Sequence, residues 1–77
     1  MALITDFERR NMDRASLHDP ISARYAVFER DGRALLQIDT YGRATREHPE
    51  KVSQSIQLDR TGAAALLNIL KDAFQLD

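Results

Sequence analysis

Arginine and aromatic side chains lie close together in the first half of the chain, and these residue types can hold phosphates and stack on flat bases. Phe28 is followed by Arg30 and Arg33 around a predicted turn. Binding of a single nucleic-acid strand requires positive charge beside flat side chains, and this cluster offers a small example. The alternative is that Phe28 and Leu35 form a packed pair with solvated arginines around them. The residue types alone leave both interpretations open.

A second basic cluster occupies the segment YGRATR, in which Tyr41, Arg43 and Arg46 could clamp phosphates. Glu47 and Glu50 follow closely, so the loop after Gly42 carries acidic as well as basic side chains. The same composition is also typical of a solvent-exposed loop without a ligand.

No residues are spaced for catalysis or metal binding. The chain has no cysteine, and its two histidines lie far apart. His18 and Asp19 are adjacent, but neighbouring loop residues rarely reach one substrate atom, and no nucleophile completes the set. The 3 glycines form no phosphate-binding loop. We therefore predict a protein that is not an enzyme and that holds no metal or cofactor.

The chain length and the net charge limit the kinds of protein that this sequence can form. A chain of 77 residues predicts one domain, and so small a domain is marginally stable unless it oligomerises. The net charge of −1 gives no overall basic field, so nucleic-acid binding would need a local patch. The N-terminus resembles neither a signal peptide nor a membrane span, and with no cysteine the expected location is the cytoplasm.

The segment RYAVFERDGRALLQIDTY predicts a β-hairpin that positions the first cluster. Asp31-Gly32 favours a type I′ turn, which needs positive φ at both central residues. The turn fixes the register, and the predicted pairs are Arg30 with Arg33, Phe28 with Leu35, Val27 with Leu36, Tyr25 with Ile38 and Arg24 with Asp39. The last pair predicts a cross-strand ion pair worth about 0.2–1 kcal/mol.

This register assigns the side chains of the hairpin to two faces of a sheet. One face is apolar and is expected to form the core; it holds Ala23, Tyr25, Val27, Leu36, Ile38 and Thr40. The other face is expected to meet water; it holds Arg24, Ala26, Phe28, Arg30, Arg33, Leu35, Gln37, Asp39 and Tyr41.

Segments on both sides of the hairpin complete the predicted sheet. Residues 42–50 are predicted as a loop, and residues 51–58, KVSQSIQL, alternate strictly as a half-buried strand does. Residues 1–20 form an N-terminal arm, in which the capping-box spacing of Thr5 and Glu8 predicts one helical turn or a short strand. We expect a single β-β-β-α domain at 21–77 with an antiparallel sheet, to which the arm could add a fourth strand.

A C-terminal helix is predicted after Asp59, which is a favourable N-cap. Gly62 in its first turn costs up to about 1 kcal/mol relative to alanine, and a close backbone approach, for example from the partner subunit, would explain it. The apolar arc covers half the helix or more, which is wider than one sheet can cover. A second copy of the helix would be the simplest way to cover the rest of this apolar surface, and cover by the N-terminal arm is the alternative. The residues expected at this dimer interface are Leu66, Ile69, Leu70, Ala73 and Phe74.

The order of hairpin, strand and helix resembles the single-stranded-DNA-binding coactivator family known as positive cofactor four. The matching stretches are RYAVFERDGRALLQIDTYG and KVSQSIQLDRTGAAALLNILKDAF. The second stretch includes a Ser-Ile-x-Leu step, residues 55–58, that runs directly into the helix. The resemblance covers about residues 24–75, and it implies a strongly curved antiparallel sheet, one C-terminal helix and dimers formed through the helices.

The resemblance also implies where a single strand would bind, because members use basic and aromatic side chains across the exposed sheet. The corresponding positions are Arg24, Tyr25, Phe28, Arg30, Arg33, Tyr41, Arg43, Arg46 and Lys51. The expected function is a homodimeric module that binds single-stranded DNA or RNA, such as a transcriptional cofactor or regulator. A module that binds a protein partner and no nucleic acid is the alternative.

Overall fold

The computed structural model describes residues 1–42 and 51–77, which form an α+β fold. Within these residues the elements are β1 Ala2–Ile4, β2 Ala23–Arg30, β3 Arg33–Tyr41, β4 Val52–Leu58 and α1 Arg60–Phe74. The strands form one four-stranded sheet in the order β1-β4-β3-β2, and α1 follows β4 directly. The predicted sequence of hairpin, strand and C-terminal helix is therefore confirmed.

The hairpin has the predicted turn and register. Asp31 has a φ of 56° and Gly32 a φ of 77°, the positive values that a type I′ turn requires. The pairing of β2 with β3 matches the prediction from Arg30 opposite Arg33 at the tip down to the base of the hairpin. β4 then pairs antiparallel with the other side of β3. The two turn residues therefore fix the register, and the register determines which side chains of the hairpin share each face of the sheet.

The N-terminal arm contributes the fourth strand, and this strand makes the sheet mixed rather than antiparallel. β1 runs parallel to β4, with Ala2 opposite Ile56. Of the two forms expected for the arm, the short strand is the one observed, and in the described residues 5–22 no helical turn forms at the capping-box spacing of Thr5 and Glu8. A strand of three residues is too short for alternation to reveal it or its direction.

Asp59 caps the start of α1, as predicted. Its Oδ1 atom accepts a hydrogen bond from the backbone N–H of Gly62 at 2.7 Å. At the other end Gln75 takes a left-handed conformation with φ of 56°, and the N–H of Leu76 donates to the carbonyl of Lys71 at 3.0 Å. This bonding pattern terminates the helix in the manner of a Schellman motif.

Gly62 is needed because β1 ends against the first turn of α1. A Cβ atom at this position would overlap the carbonyl oxygen of Ile4. The close backbone approach expected at Gly62 is therefore confirmed, but the approaching backbone belongs to β1 of the same chain and not to a partner subunit. This contact joins the two ends of the sequence.

Two rows of side chains across β2, β3 and β4 define what is here called the apolar sheet face. This face is better covered near β4 than near β2. The rows are Val27, Leu36, Leu58 and Tyr25, Ile38, Ile56. Along the first row exposure falls from 69% at Val27 to 2% at Leu58, and Tyr25 at the β2 end of the second row is 76% exposed. Because α1 meets the sheet along β4, the β2 side of the face stays open.

The prediction of a covered apolar face and a wet polar face is wrong at several positions. Leu35, expected to meet water, is only 7% exposed, and its partner Phe28 is half-buried. Tyr25 and Val27, expected in the core, are exposed. Across the described residues the buried apolar side chains are Leu35 and Leu58. Alternation assigns side chains to faces, but the extent of cover depends on where α1 leaves the sheet.

Candidate nucleic-acid interface

Four polar side chains of β3 and β4 form a hydrogen-bonded row, here called the polar ladder, at the centre of the face that carries the predicted site. Nε2 of Gln57 donates to Oε1 of Gln37 at 2.8 Å, and Nε2 of Gln37 donates to Oδ1 of Asp39 at 2.9 Å. Oγ of Ser55 donates to the same Asp39 oxygen at 2.5 Å. The register explains the ladder, since Gln37 lies opposite Gln57 and Asp39 opposite Ser55.

Arg24 stacks on Tyr41 at the base of the hairpin, beside the polar ladder. Its Cζ atom lies 5.2 Å from the centroid of the Tyr41 ring, a distance typical of a cation–π contact. Between the described residues Arg24 and Asp39 the predicted ion pair does not form, although the two lie opposite each other. Asp39 instead accepts hydrogen bonds from Gln37 and Ser55. The guanidinium of Arg24 is therefore held against a ring rather than against a carboxylate.

The hairpin tip places two arginines side by side at the other end of the same face. Arg30 lies opposite Arg33 across the turn, and both are exposed. Like charges at opposed positions destabilise a sheet. Nη1 of Arg33 lies 4.0 Å from Oδ2 of Asp59, but a contact of this length from an exposed arginine is worth little. An anion bound at the tip would therefore relieve repulsion between the two guanidinium groups.

Phe28 and Leu35 occupy the face next to the tip, and the structure favours the packed interpretation for one of them. Leu35 is buried and has no surface on which a base could stack. Phe28 is half-buried, so part of its ring stays accessible beside Arg30. Of this cross-strand pair, only Phe28 can contribute to a binding surface.

The other predicted positions do not gather with these residues. Tyr25 lies on the apolar sheet face. Lys51 is exposed just before β4, but a register shift between Thr40 and Tyr41 interrupts the pairing there, so the strict alternation predicted for 51–58 fails at its start. Arg43 and Arg46 lie outside the described residues.

The geometry gives a polar face with two basic ends and a centre that is neutral to acidic. Arg24 and Arg30 lie on the same strand, about 20 Å apart at the usual rise per residue. Phosphates can bind at either end, and Tyr41 and Phe28 offer flat surfaces near them. The carboxylate of Asp39 disfavours a phosphate at the centre but can accept a hydrogen bond from the amino group of a base.

The polar ladder was not predicted from the sequence. Its members occupy alternate positions on two segments, Gln37 and Asp39 on one and Ser55 and Gln57 on the other, so the pattern is visible. The register between these segments is set across residues 43–50, which contain no turn motif that fixes it. The hydrogen bonds could therefore not be assigned without the structure.

The described residues contain no group of three or more histidine, cysteine, aspartate or glutamate side chains that could hold a metal ion. In this part of the chain no helix is both long and apolar enough to span a membrane.

Together, the fold and the site define an α+β protein whose sheet carries a polar face with basic ends. Comparisons with models of known protein families, with characterised proteins and with solved structures give no match. The function is therefore inferred from the geometry of the described residues.

Proposed function

We propose that the chain is a homodimeric module that binds single-stranded nucleic acid on the polar face of its sheet, the function that the resemblance to positive cofactor four implies. The observation that carries the proposal is the stack of Arg24 on Tyr41. An arginine fixed against an aromatic ring offers phosphate donors and a surface for a base at one place.

The hairpin tip supports the same proposal independently of this stack. Arg30 and Arg33 oppose each other, and Asp59 is their one carboxylate contact within the described residues. Asp59 also caps α1, so little of its charge remains for the arginines. A phosphate is the ligand that suits two adjacent guanidinium groups because it accepts bidentate hydrogen bonds.

Fluorescence anisotropy with a labelled oligonucleotide of mixed sequence at low salt tests the proposal. The expected result is saturable binding that weakens as salt is added, because each phosphate contact releases counterions, with a slope of about 0.7 per contact for single strands. Arg24→Gln should weaken binding and reduce this slope. Lys71→Gln, which removes the same charge from α1, should change neither. Absence of binding up to tens of micromolar protein, which is weak on the usual affinity scale, would contradict the proposal.

A protein-interaction module without nucleic-acid binding is the second candidate, and the open side of the apolar sheet face favours it. Tyr25 and Val27 are large apolar side chains that lie exposed on adjacent positions of this face. Affinity capture from lysate, with and without nuclease, separates the candidates. A partner that is retained after nuclease treatment and that binds with little dependence on salt would favour this second function.

A further inference from the structure

We propose that a groove between the hairpin tip and the start of α1 receives the C-terminal end of α1 from a second copy of the chain, and that the two copies do this reciprocally. The inference rests on the dimer in the proposed function and is independent of nucleic-acid binding.

The groove opens directly onto the small core of the protein. It has a volume of about 580 Å³, and the residues that line it include Leu35 and Leu58, the two buried apolar residues in the described part of the chain. Val27 and Leu36 of the apolar sheet face also line it, and Val27 is largely exposed. An apolar segment placed here would therefore complete the core.

The C-terminal half of α1 is an apolar segment that its own chain leaves uncovered. Ala63, Leu67, Leu70 and Phe74 recur at spacings of four and three residues, the pattern of a helix seam that packs on another element. The side chains of this seam are more exposed after the first turn of α1: Ala63 is half-buried, whereas Leu67 and Phe74 are 52% and 68% exposed. The helix meets its own sheet mainly along β4, with its first turn also against the end of β1, and its later turns carry the exposed side chains.

Charge also matches the groove to the end of the helix. Two exposed arginines, Arg33 and Arg60, and one carboxylate, Asp59, line the groove, so its formal charge is positive. The C-terminal end of a helix carries partial negative charge, and here Asp72 and Asp77 outnumber the one basic residue of the last turn, Lys71. Docking this end beside the two arginines is therefore electrostatically favourable.

A dimer with two-fold symmetry would cover the groove and the exposed seam of α1 in both copies. The start of α1 borders the groove and its end fits one, so reciprocal docking makes the two helices antiparallel and places their seams against each other. The helix has 15 residues and is about 22 Å long, so its end lies well away from its own groove.

The exposed area of the single chain is large enough for such an interface. Its surface of 7204 Å² exceeds by roughly 2,400 Å² the area of about 4,800 Å² expected for a compact protein of 8.8 kDa. The extended residues 5–22 account for part of this excess. Stable homodimers bury about 2,000–5,000 Å² over both partners, so half of the excess on each chain would suffice.

Disulfide trapping tests the proposal, because the chain has no cysteine of its own. Two single-cysteine chains, Val27→Cys and Phe74→Cys, are co-expressed with tags of different size and oxidised. The expected product is a mixed dimer that joins the two different chains, since docking would bring these positions near the roughly 7 Å Cα separation that a disulfide can bridge. Phe74→Cys should not crosslink to itself, because antiparallel helices hold their two C-terminal ends apart.

The matched control replaces Val27→Cys with Leu17→Cys, at a fully exposed position of the irregular segment, and this pair should give little mixed dimer. Efficient self-crosslinking of Phe74→Cys would indicate a parallel helix pair and overturn the proposal. Equal crosslinking by the Leu17→Cys control, or a monomeric mass for the unmodified chain in light scattering, would overturn it too. None of these measurements involves an oligonucleotide, so their failure is distinct from failure of nucleic-acid binding.

Discussion

Arg24 has two partners within reach on the polar face, the carboxylate of Asp39 and the ring of Tyr41, and it contacts the ring. An exposed cross-strand ion pair and an exposed cation–π contact are each worth less than about 1 kcal/mol, so a small bias decides between them. The bias here is the polar ladder, because Gln37 and Ser55 both donate to Oδ1 of Asp39 and hold its carboxylate toward β4. The hairpin sequence predicts the neighbours of Arg24 correctly. It cannot predict the partner, which depends on a strand paired across a different loop.

Removal of the Tyr41 ring should weaken nucleic-acid binding more than removal of its hydroxyl group. Base stacking on an aromatic side chain is worth about 1–3 kcal/mol, so Tyr41→Leu should reduce affinity by roughly 5- to 150-fold. Tyr41→Phe keeps the ring under Arg24 and should bind as the parent chain does. Anisotropy titrations of the three proteins at one salt concentration check this, and equal losses for both variants would assign the effect to the hydroxyl group.

Gly62→Ala should destabilise the fold even though alanine is the better helix former. The gain in helix propensity is at most about 1 kcal/mol, whereas overpacking against the backbone of Ile4 should cost about 1–3 kcal/mol. Urea unfolding at a fixed protein concentration measures the change. Ala64→Gly at an exposed position of the same helix serves as the control and should cost about 1 kcal/mol from propensity alone. A more stable Gly62→Ala protein would show that β1 does not seat there.

The elements differ in how far the sequence determines them. The hairpin and the start of α1 follow from local chemistry, namely the Asp31-Gly32 turn and the Asp59 cap, and the hairpin register and the N-cap were predicted correctly. β1 was anticipated only as an unspecified fourth strand. Its parallel pairing with β4 depends on backbone contacts between distant parts of the chain, and no side-chain pattern of three residues encodes those contacts.

Asp59 connects three elements, because it follows β4, caps α1 and lies near Arg33 of β3. Asp59→Ala should lower the free energy of unfolding by about 0.5–2 kcal/mol through loss of the cap. Asp59→Asn keeps a capping oxygen and loses the charge, so its effect should be a few tenths of a kcal/mol at most. Chemical denaturation compares the two variants. A similar loss in both would assign the stability to the contact with Arg33 instead of to the cap.

For the molecule as a whole, the shortage of buried side chains is the dominant fact. In the described residues Leu35 and Leu58 are the buried apolar side chains, while most large side chains of α1 are exposed. So small a core supplies little stability, since hydrophobic burial scales with the area removed from water. The wide apolar arc of the predicted helix indicated an uncovered surface from the sequence. The arc could not show that the helix would leave the sheet after its first turns.

Leu70→Lys should prevent dimer formation or unfold the chain, because a charge in the exposed seam of α1 cannot be buried against a partner without a large cost. Asn68→Lys adds the same charge on the polar side of the helix and should leave the mass unchanged. Light scattering and circular dichroism distinguish the outcomes. A Leu70→Lys protein that keeps both the dimer mass and the helix signal would show that the seam is not an interface.

The pairing of β1 with β4 also sets an order of events when the chain folds. Ala2 is made long before Ile56, the residue that it lies opposite in the sheet, so it has no strand partner until β4 has been made. The hairpin can form early because its contacts are local, whereas closing so long a loop is slow. β1 also needs the first turn of α1, where Gly62 meets Ile4. During synthesis β1 would therefore join the sheet only after β4 and the first turn of α1 have been made.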